Sequence, residues 1–152
     1  LSTVHTNDAA TGVTRMLDMG VEDYLLTSTV NAILAQRLVR TLDQESMEAY
    51  ELLPEVVEEI GLRELGERER YVFYRPTPTE TNPTGYRGRT SILELLVMTD
   101  PIRRQVMRHA TSGEIQDQAV GEGMRTMYLD GLIKCLGGVT TLDEILRVTQ
   151  EA

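Results

Sequence analysis

Between residues 41 and 70 the chain carries ten Asp or Glu against three Arg, a net charge of −7. Such a segment cannot line an apolar core, because an ionised carboxylate taken out of water needs a partner to offset its lost hydration. It reads as a solvated excursion between two better-patterned regions. The chain of 152 residues, enough for one compact domain or two small ones, then divides into a first region over 1–42, an acidic insertion over 43–84 and a compact region over 85–152.

In the first region, the apolar-then-polar run Leu1 to Thr6 resembles the end of a strand. Asn7 or Thr6 is a plausible N-cap for a helix that buries Ala10, Val13 and Leu17 and stops at Gly20. A second helix is expected from Glu22, with an apolar stripe of Leu26, Val30, Ile33, Leu34 and Leu38, and with Arg37 and Arg40 near its C-terminal end. In the insertion, Met47 to Ile60 suits an acidic helix interrupted near Pro54. Tyr71 to Tyr74 has strand propensity, and Pro76 to Pro83 resists regular structure.

Thr90 to Met98 is apolar enough for a buried strand, broken only by Ser91 and Glu94. Helices follow. Asp100-Pro101 offers a cap and a proline at the first helical position, Thr111 or Ser112 can cap the next helix, Asp130 to Leu136 forms a further one, and Thr141 to Glu144 fits a capping box. The expected class is α/β and mostly helical, with an end of an α/β core, a small inserted subdomain and a helical bundle.

Composition excludes several functions. A net charge of −9 is unsuited to a phosphate backbone, so a partner is expected to be protein rather than nucleic acid. No apolar run approaches the roughly 20 residues that span a bilayer. The single Cys135 sits in the apolar stretch Leu132 to Leu136 and reads as a buried small hydrophobe, which suits the cytosol.

The residues able to carry chemistry are few. A phosphate-binding loop needs G-x-x-x-x-G-K-[ST], and the single lysine, Lys134, has neither the glycines before it nor the Ser or Thr after it. His5 stands at a strand-to-helix turn, the edge where ligands sit in α/β nucleotide-binding folds; satisfying local hydrogen bonds is the plainer reading. Arg87-Gly88-Arg89 presents two permanent cations beside a flexible loop, suited to phosphate or carboxylate, and equally to salt bridges with the acidic insertion. Arg37 is ambiguous in the same way, and His109 is expected at the surface. Thiolate zinc ligation is excluded by the cysteine count, and Ser, His and Asp form no nucleophilic pattern.

Four strings resemble the type II secretion system ATPases (the general secretory pathway protein E family), relatives of the type IV pilus motors. They are Leu1-Ser2-Thr3-Val4-His5-Thr6-Asn7-Asp8-Ala9-Ala10 with Arg15 to Val21, Leu34-Ala35-Gln36-Arg37-Leu38-Val39-Arg40, Gly85-Tyr86-Arg87-Gly88-Arg89-Thr90-Ser91-Ile92-Leu93-Glu94-Leu95-Leu96, and Asp130-Gly131-Leu132 with Gly138 to Thr149. The resemblance implies the C-terminal part of a RecA-like P-loop ATPase, starting at the family's His box. It implies a homo-hexamer peripheral to the cytoplasmic face of the inner membrane, working on ATP and Mg2+ with the export platform proteins to drive secretion.

In that family the Walker A loop, Asp box and Walker B carboxylate precede the His box. His5 and Arg89 would be catalytic, the former toward the γ-phosphate, and Arg87 and Arg37 would be weaker nucleotide contacts. A pilus assembly ATPase and a non-catalytic interaction module are the alternatives. Many members also hold a structural zinc with two C-x-x-C pairs. Here the first pair falls on Asp43 and Ser46 and the second within Pro78 to Thr81, so no zinc is expected.

Since Lys134 lies in no phosphate-binding loop, the 152-residue chain alone is expected to hydrolyse ATP no faster than background. Steady-state phosphate release by the purified chain checks this; turnover abolished by a substitution within the chain would contradict it.

Overall fold

A computed structural model describes residues 1–150. In chain order the elements are α1 (Ala9–Asp18), α2 (Asp23–Thr29), β1 (Ala32–Leu42), β2 (Glu48–Glu51), α3 (Pro54–Glu59), a 3-10 turn (Leu62–Leu65), β3 (Val72–Arg75), β4 (Tyr86–Val97), α4 (Asp100–Met107), α5 (Ser112–Gly121), α6 (Met127–Leu136) and α7 (Leu142–Gln150). The mixed helix and sheet content agrees with the expected α/β class. β1 pairs with β4 and β2 with β3. No helix among the described residues is long and apolar enough to cross a membrane.

The described residues form two compact units, 1–36 with 93–127 and 37–92 with 128–150. In the first, α1 packs on α5, α5 on α4 and α4 on α2. Each helix buries one face at i, i+4 spacing: Ile102 and Val106 on α4, Ile115 and Ala119 on α5. Ala9, Ala10, Val13, Leu26, Leu96 and Met98 complete that core. In the second unit Phe73, Leu62, Ile92, Leu132 and Ile145 are fully enclosed. There α6 and α7 approach closely because Gly131 carries no side chain: a Cβ on it would lie 2.6 Å from Ile145 Cδ1.

The N-terminal expectations shift at both ends. Leu1 to Thr6 carries no strand, since a strand exists only where a neighbour takes its backbone hydrogen bonds and none of the described residues does so. The cap of α1 is Asp8, whose Oδ1 accepts the Thr11 amide at 2.7 Å, rather than Asn7 or Thr6. Leu17 is only partly buried.

The long second helix is replaced by a short one and a strand. α2 ends at Thr29, and Val30 is extended (φ −85°, ψ 120°). The stripe also fits a period of two: Ile33, Ala35, Arg37, Val39 and Thr41 are buried or half-buried, whereas Leu34 and Leu38, central to the helical reading, are 58% and 53% exposed. Pairing with β4 decides between the two periods. β4 is likewise two-faced: Ile92, Glu94 and Leu96 point inward while Leu93, Leu95 and Val97 are exposed.

In the insertion, Met47 to Ile60 splits into β2 and α3, with Pro54 starting the helix. β2 pairs antiparallel with β3, Tyr50 opposite Phe73. The caps of α5 and α7 fall as expected, Thr111 forming a full capping box with Glu114. On α4 the cap is Thr99, and Asp100 lies inside the helix, paired with Arg103 at 2.8 Å.

Glu94, which interrupts an apolar strand, explains itself in the first unit. It is 3% exposed, and its two oxygens accept the amides of Ala9 and Met127, each at 3.1 Å. Those amides begin α1 and α6, where the helix dipole favours a negative charge. Glu94→Gln keeps the shape but turns an amide donor toward one of these N–H groups. It is expected to cost about 1–3 kcal/mol, the usual range for stranding a buried donor, measured as a lower urea midpoint with an unchanged slope.

Candidate functional site

Three of the four candidate residues lie on the β1–β4 ribbon in the second unit. Arg37 is half-buried on β1, and Arg87 and Arg89 flank Gly88 at the start of β4. Gly88 has φ 79°, and a Cβ there would lie 3.3 Å from Thr41 Oγ1, so a small left-handed residue lets the chain turn where Thr41 donates to the Arg87 carbonyl. The ribbon thus presents Arg87 and Arg89 outward, both exposed.

Arg87 has a partner. Its Nη2 lies 3.2 Å from Asp43 Oδ2, so for this residue the salt bridge to the acidic insertion is formed. None of the ion pairs among the described residues includes Arg89. His5 is exposed in the other unit, ahead of the Asp8 cap. His109 is exposed as expected and lies 3.0 Å from Asp23. Lys134 is held by Asp130, four residues earlier on α6, at 2.7 Å.

A second cluster in this unit was not visible as a pattern. Glu144, 1% exposed, accepts the Arg40 amide at 2.8 Å, the Arg40 guanidinium at 2.9 Å and the Arg147 guanidinium at 2.9 Å. Arg40 also lies over the Tyr86 ring, 4.2 Å from its centre, and the Tyr86 hydroxyl meets Thr141 Oγ1 at 2.9 Å. The capping box at Thr141 is therefore half-formed: Thr141 takes the Glu144 amide, but the Glu144 carboxylate goes to the two arginines. The sequence offered Arg147 three residues after Glu144, but Arg40 lies 104 residues before it.

Burial alone would raise the Glu144 pKa, but the hydrogen bonds from Arg147, from the Arg40 side chain and from the Arg40 amide outweigh it and bring it down to about 2. Cys135 shows the opposite case: buried with no cation near, its thiol is pushed up to about 12, which suits a packing residue.

The type II/IV secretion system protein family model matches residues 1–147. The chain is 59% identical over 152 residues to the type II secretion system protein E of Xanthomonas campestris pv. campestris, covering all of this chain and 27% of that protein. It is 43% identical to the type II secretion system protein HxcR of Pseudomonas aeruginosa over all of this chain and 28% of that protein. With the type IV pilus assembly ATPase PilB of Thermus thermophilus it shares 37% identity over 99% of this chain and 17% of that protein. The chain spans less than a third of each of these relatives.

Because the folded Glu144 pKa lies below its ordinary 4.5, its ion pairs contribute stability that is complete above that value and lost as pH falls toward 2. Urea midpoints measured across this window should fall for the native chain, with a clearly shallower slope for Glu144→Gln.

With the match running through both units and through every candidate residue, the chain belongs to the type II/IV secretion system protein family.

Proposed function

We propose that this chain is part of an ATP-driven motor for type II protein secretion, and that Arg89, with Arg87, meets the phosphates of the nucleotide. The observation that carries this reading is the 59% identity to a type II secretion system protein E over the whole chain. A second reading, a type IV pilus motor, is favoured by the 37% identity to a pilus assembly ATPase; the difference in identity favours secretion.

The chemistry of the donors supports a divided site. A guanidinium suits phosphate oxygens, which it can hold through two parallel N–H groups. Magnesium instead needs carboxylate, hydroxyl or water oxygens, and His5, Arg37, Arg87 and Arg89 supply none. The phosphates of ATP would be met by the arginines of this chain, and the P-loop and the Mg2+-binding carboxylates would come from the rest of the protein's length, which in the relatives is more than twice that matched here. When bound, the nucleotide supplies the free energy of phosphoryl transfer.

In this proposal the fold is the closing part of a RecA-like core. His5 positions or senses the terminal phosphate, and the motor is a homo-hexamer on the cytoplasmic face of the inner membrane, engaging the export platform proteins. The acidic balance of the chain, −9, agrees with protein rather than nucleic-acid partners.

In the full-length protein, His5→Ala and Arg89→Ala are each expected to lower hydrolysis at least about tenfold, since one placed contact to a developing charge is typically worth roughly 2–4 kcal/mol of barrier. Arg89→Lys should recover activity only in part because the planar fork is lost. Arg108→Ala, at the exposed end of α4, should be nearly silent. Steady-state kinetics with thermal melts decides it; wild-type turnover and nucleotide affinity in both alanine variants would overturn the assignment.

A further inference from the structure

The two stretches where the resemblance to the type II secretion ATPases implies zinc-binding cysteine pairs meet in the second unit, and a carboxylate holds them. Asp43 is 4% exposed. Its Oδ1 accepts the Glu45 amide at 3.1 Å, and its Oδ2 accepts Asn82 Nδ2 at 2.9 Å and Arg87 Nη2 at 3.2 Å. The backbone repeats the connection, the Asp43 amide donating to the Gly85 carbonyl at 3.0 Å.

Each stretch is closed on itself before it meets the other. In the first, the amides of Ser46 and Met47 both donate to the Asp43 carbonyl, at 3.2 and 3.0 Å. In the second, Thr79 and Asn82 exchange backbone hydrogen bonds at 2.9 and 3.2 Å, and Thr79 Oγ1 takes the Asn82 amide at 3.0 Å. The Asn82 side chain is fully used: Nδ2 donates to Asp43 and to the Tyr86 carbonyl, and Oδ1 accepts from Thr84. Gly85 permits the approach, for at φ 74° a Cβ would come within 2.7 Å of Pro76 and 2.9 Å of the Thr77 nitrogen.

These donors do not fit zinc. A structural zinc takes four ligands drawn from thiolate, imidazole and carboxylate. The side chains that meet Asp43 are the Asn82 amide and the Arg87 guanidinium, neither of them a zinc ligand, and no set of three His, Cys, Asp or Glu able to hold a metal occurs among the described residues. Ser46 Oγ, at the second aligned position, is buried without a hydrogen-bond partner, but a serine hydroxyl stays protonated at neutral pH and brings the set only to two.

We propose that the Asp43 carboxylate, bridged to Asn82 and Arg87, performs the task that the family resemblance would give to a metal, tying the two loops of the 43–84 segment into one structure. A carboxylate can do this because it accepts several hydrogen bonds at once, one of them charge-assisted, and so stands at the centre of the donors as a cation stands at the centre of its ligands. The hydrogen bond from Asn82, then the Glu45 amide and Arg87, hold this carboxyl below the ordinary carboxylate range, so the tie is ionised at neutral pH. It also fixes the direction of Arg87, so closure of the loops and presentation of that cation are one event.

The test is a double-mutant cycle read by amide hydrogen exchange and urea unfolding on Asp43→Ala, Asn82→Ala and the pair. Each single variant should speed exchange at residues 43–47 and 79–86 at least about tenfold, with helices α4 and α5 unchanged, as expected for local opening. The double variant should open little further than either single one. Additive effects of the two, or unchanged exchange in the singles, would overturn the proposal. If Asp43→Ala does not fold, Asn82→Ala with Asp43→Asn completes the same comparison. In parallel, the native protein should contain no stoichiometric zinc by elemental analysis, and a chelator should leave exchange in both loops unaltered. About one zinc per chain, with loops that open when it is stripped, would overturn the proposal independently.

Discussion

Pairing of β1 with β4 is the contact on which the other elements depend. It converts a stretch with helical periodicity into a strand, closes the acidic insertion between its two arms, and puts Arg37, Arg87 and Arg89 on one ribbon. It is flanked in the first unit by the hydrogen bond from Met98 N–H to Asn31, and in the second by that from Asp43 N–H to Gly85. In the first unit the two strands bury Ala35 and Leu96 and leave Leu34, Leu95 and Val97 in the open; in the second they bury Val39 and Ile92 and leave Leu38 exposed.

Three carboxylates then complete what the ribbon begins, each by a different route. Glu94 uses uncharged donors, the first amides of two helices. Glu144 uses two guanidiniums and an amide, joining β1 and α7. Asp43 uses one guanidinium, a side-chain amide and a backbone amide to join two loops. In a chain so acidic overall, these three stand apart because they are buried, and burial is tolerable only where both carboxylate oxygens have donors. Removing one partner would cost more than the hydrogen bond itself contributes, because the other is left desolvated.

The proposed phosphate contacts follow the same economy of charge. Arg87 is restrained by Asp43, while Arg89, two residues on and past a glycine, enters none of the ion pairs among the described residues. A held cation and a neighbouring one without a carboxylate divide the work of a ligand site between orientation and attraction. The proposed nucleotide role rests on the family match rather than on exposure, since exposed guanidiniums on a strand are common in proteins with no nucleotide to bind.

Much of the local structure was legible in the residues themselves. Thr111 announces a cap, Thr141 the cap of the last helix though not the full capping box, Tyr71 to Tyr74 a strand, and the proline-rich run a loop, because each depends on groups within four residues of one another. The resemblance strings likewise identified the family, which needs identity and order but no coordinates. What the sequence by itself could not decide was the state of Ala32–Leu42, where a helical stripe through Ile33, Leu34 and Leu38 competes with an alternating one through Ile33, Ala35 and Val39, or the roles of Glu94, Glu144 and Asp43. Each has a partner far away in the chain, at 85, 104 and 39 residues, and such distances leave no local signature. Only the tertiary structure brings those groups within hydrogen-bonding reach. There, the cost of burying a charge selects the one arrangement in which each is satisfied.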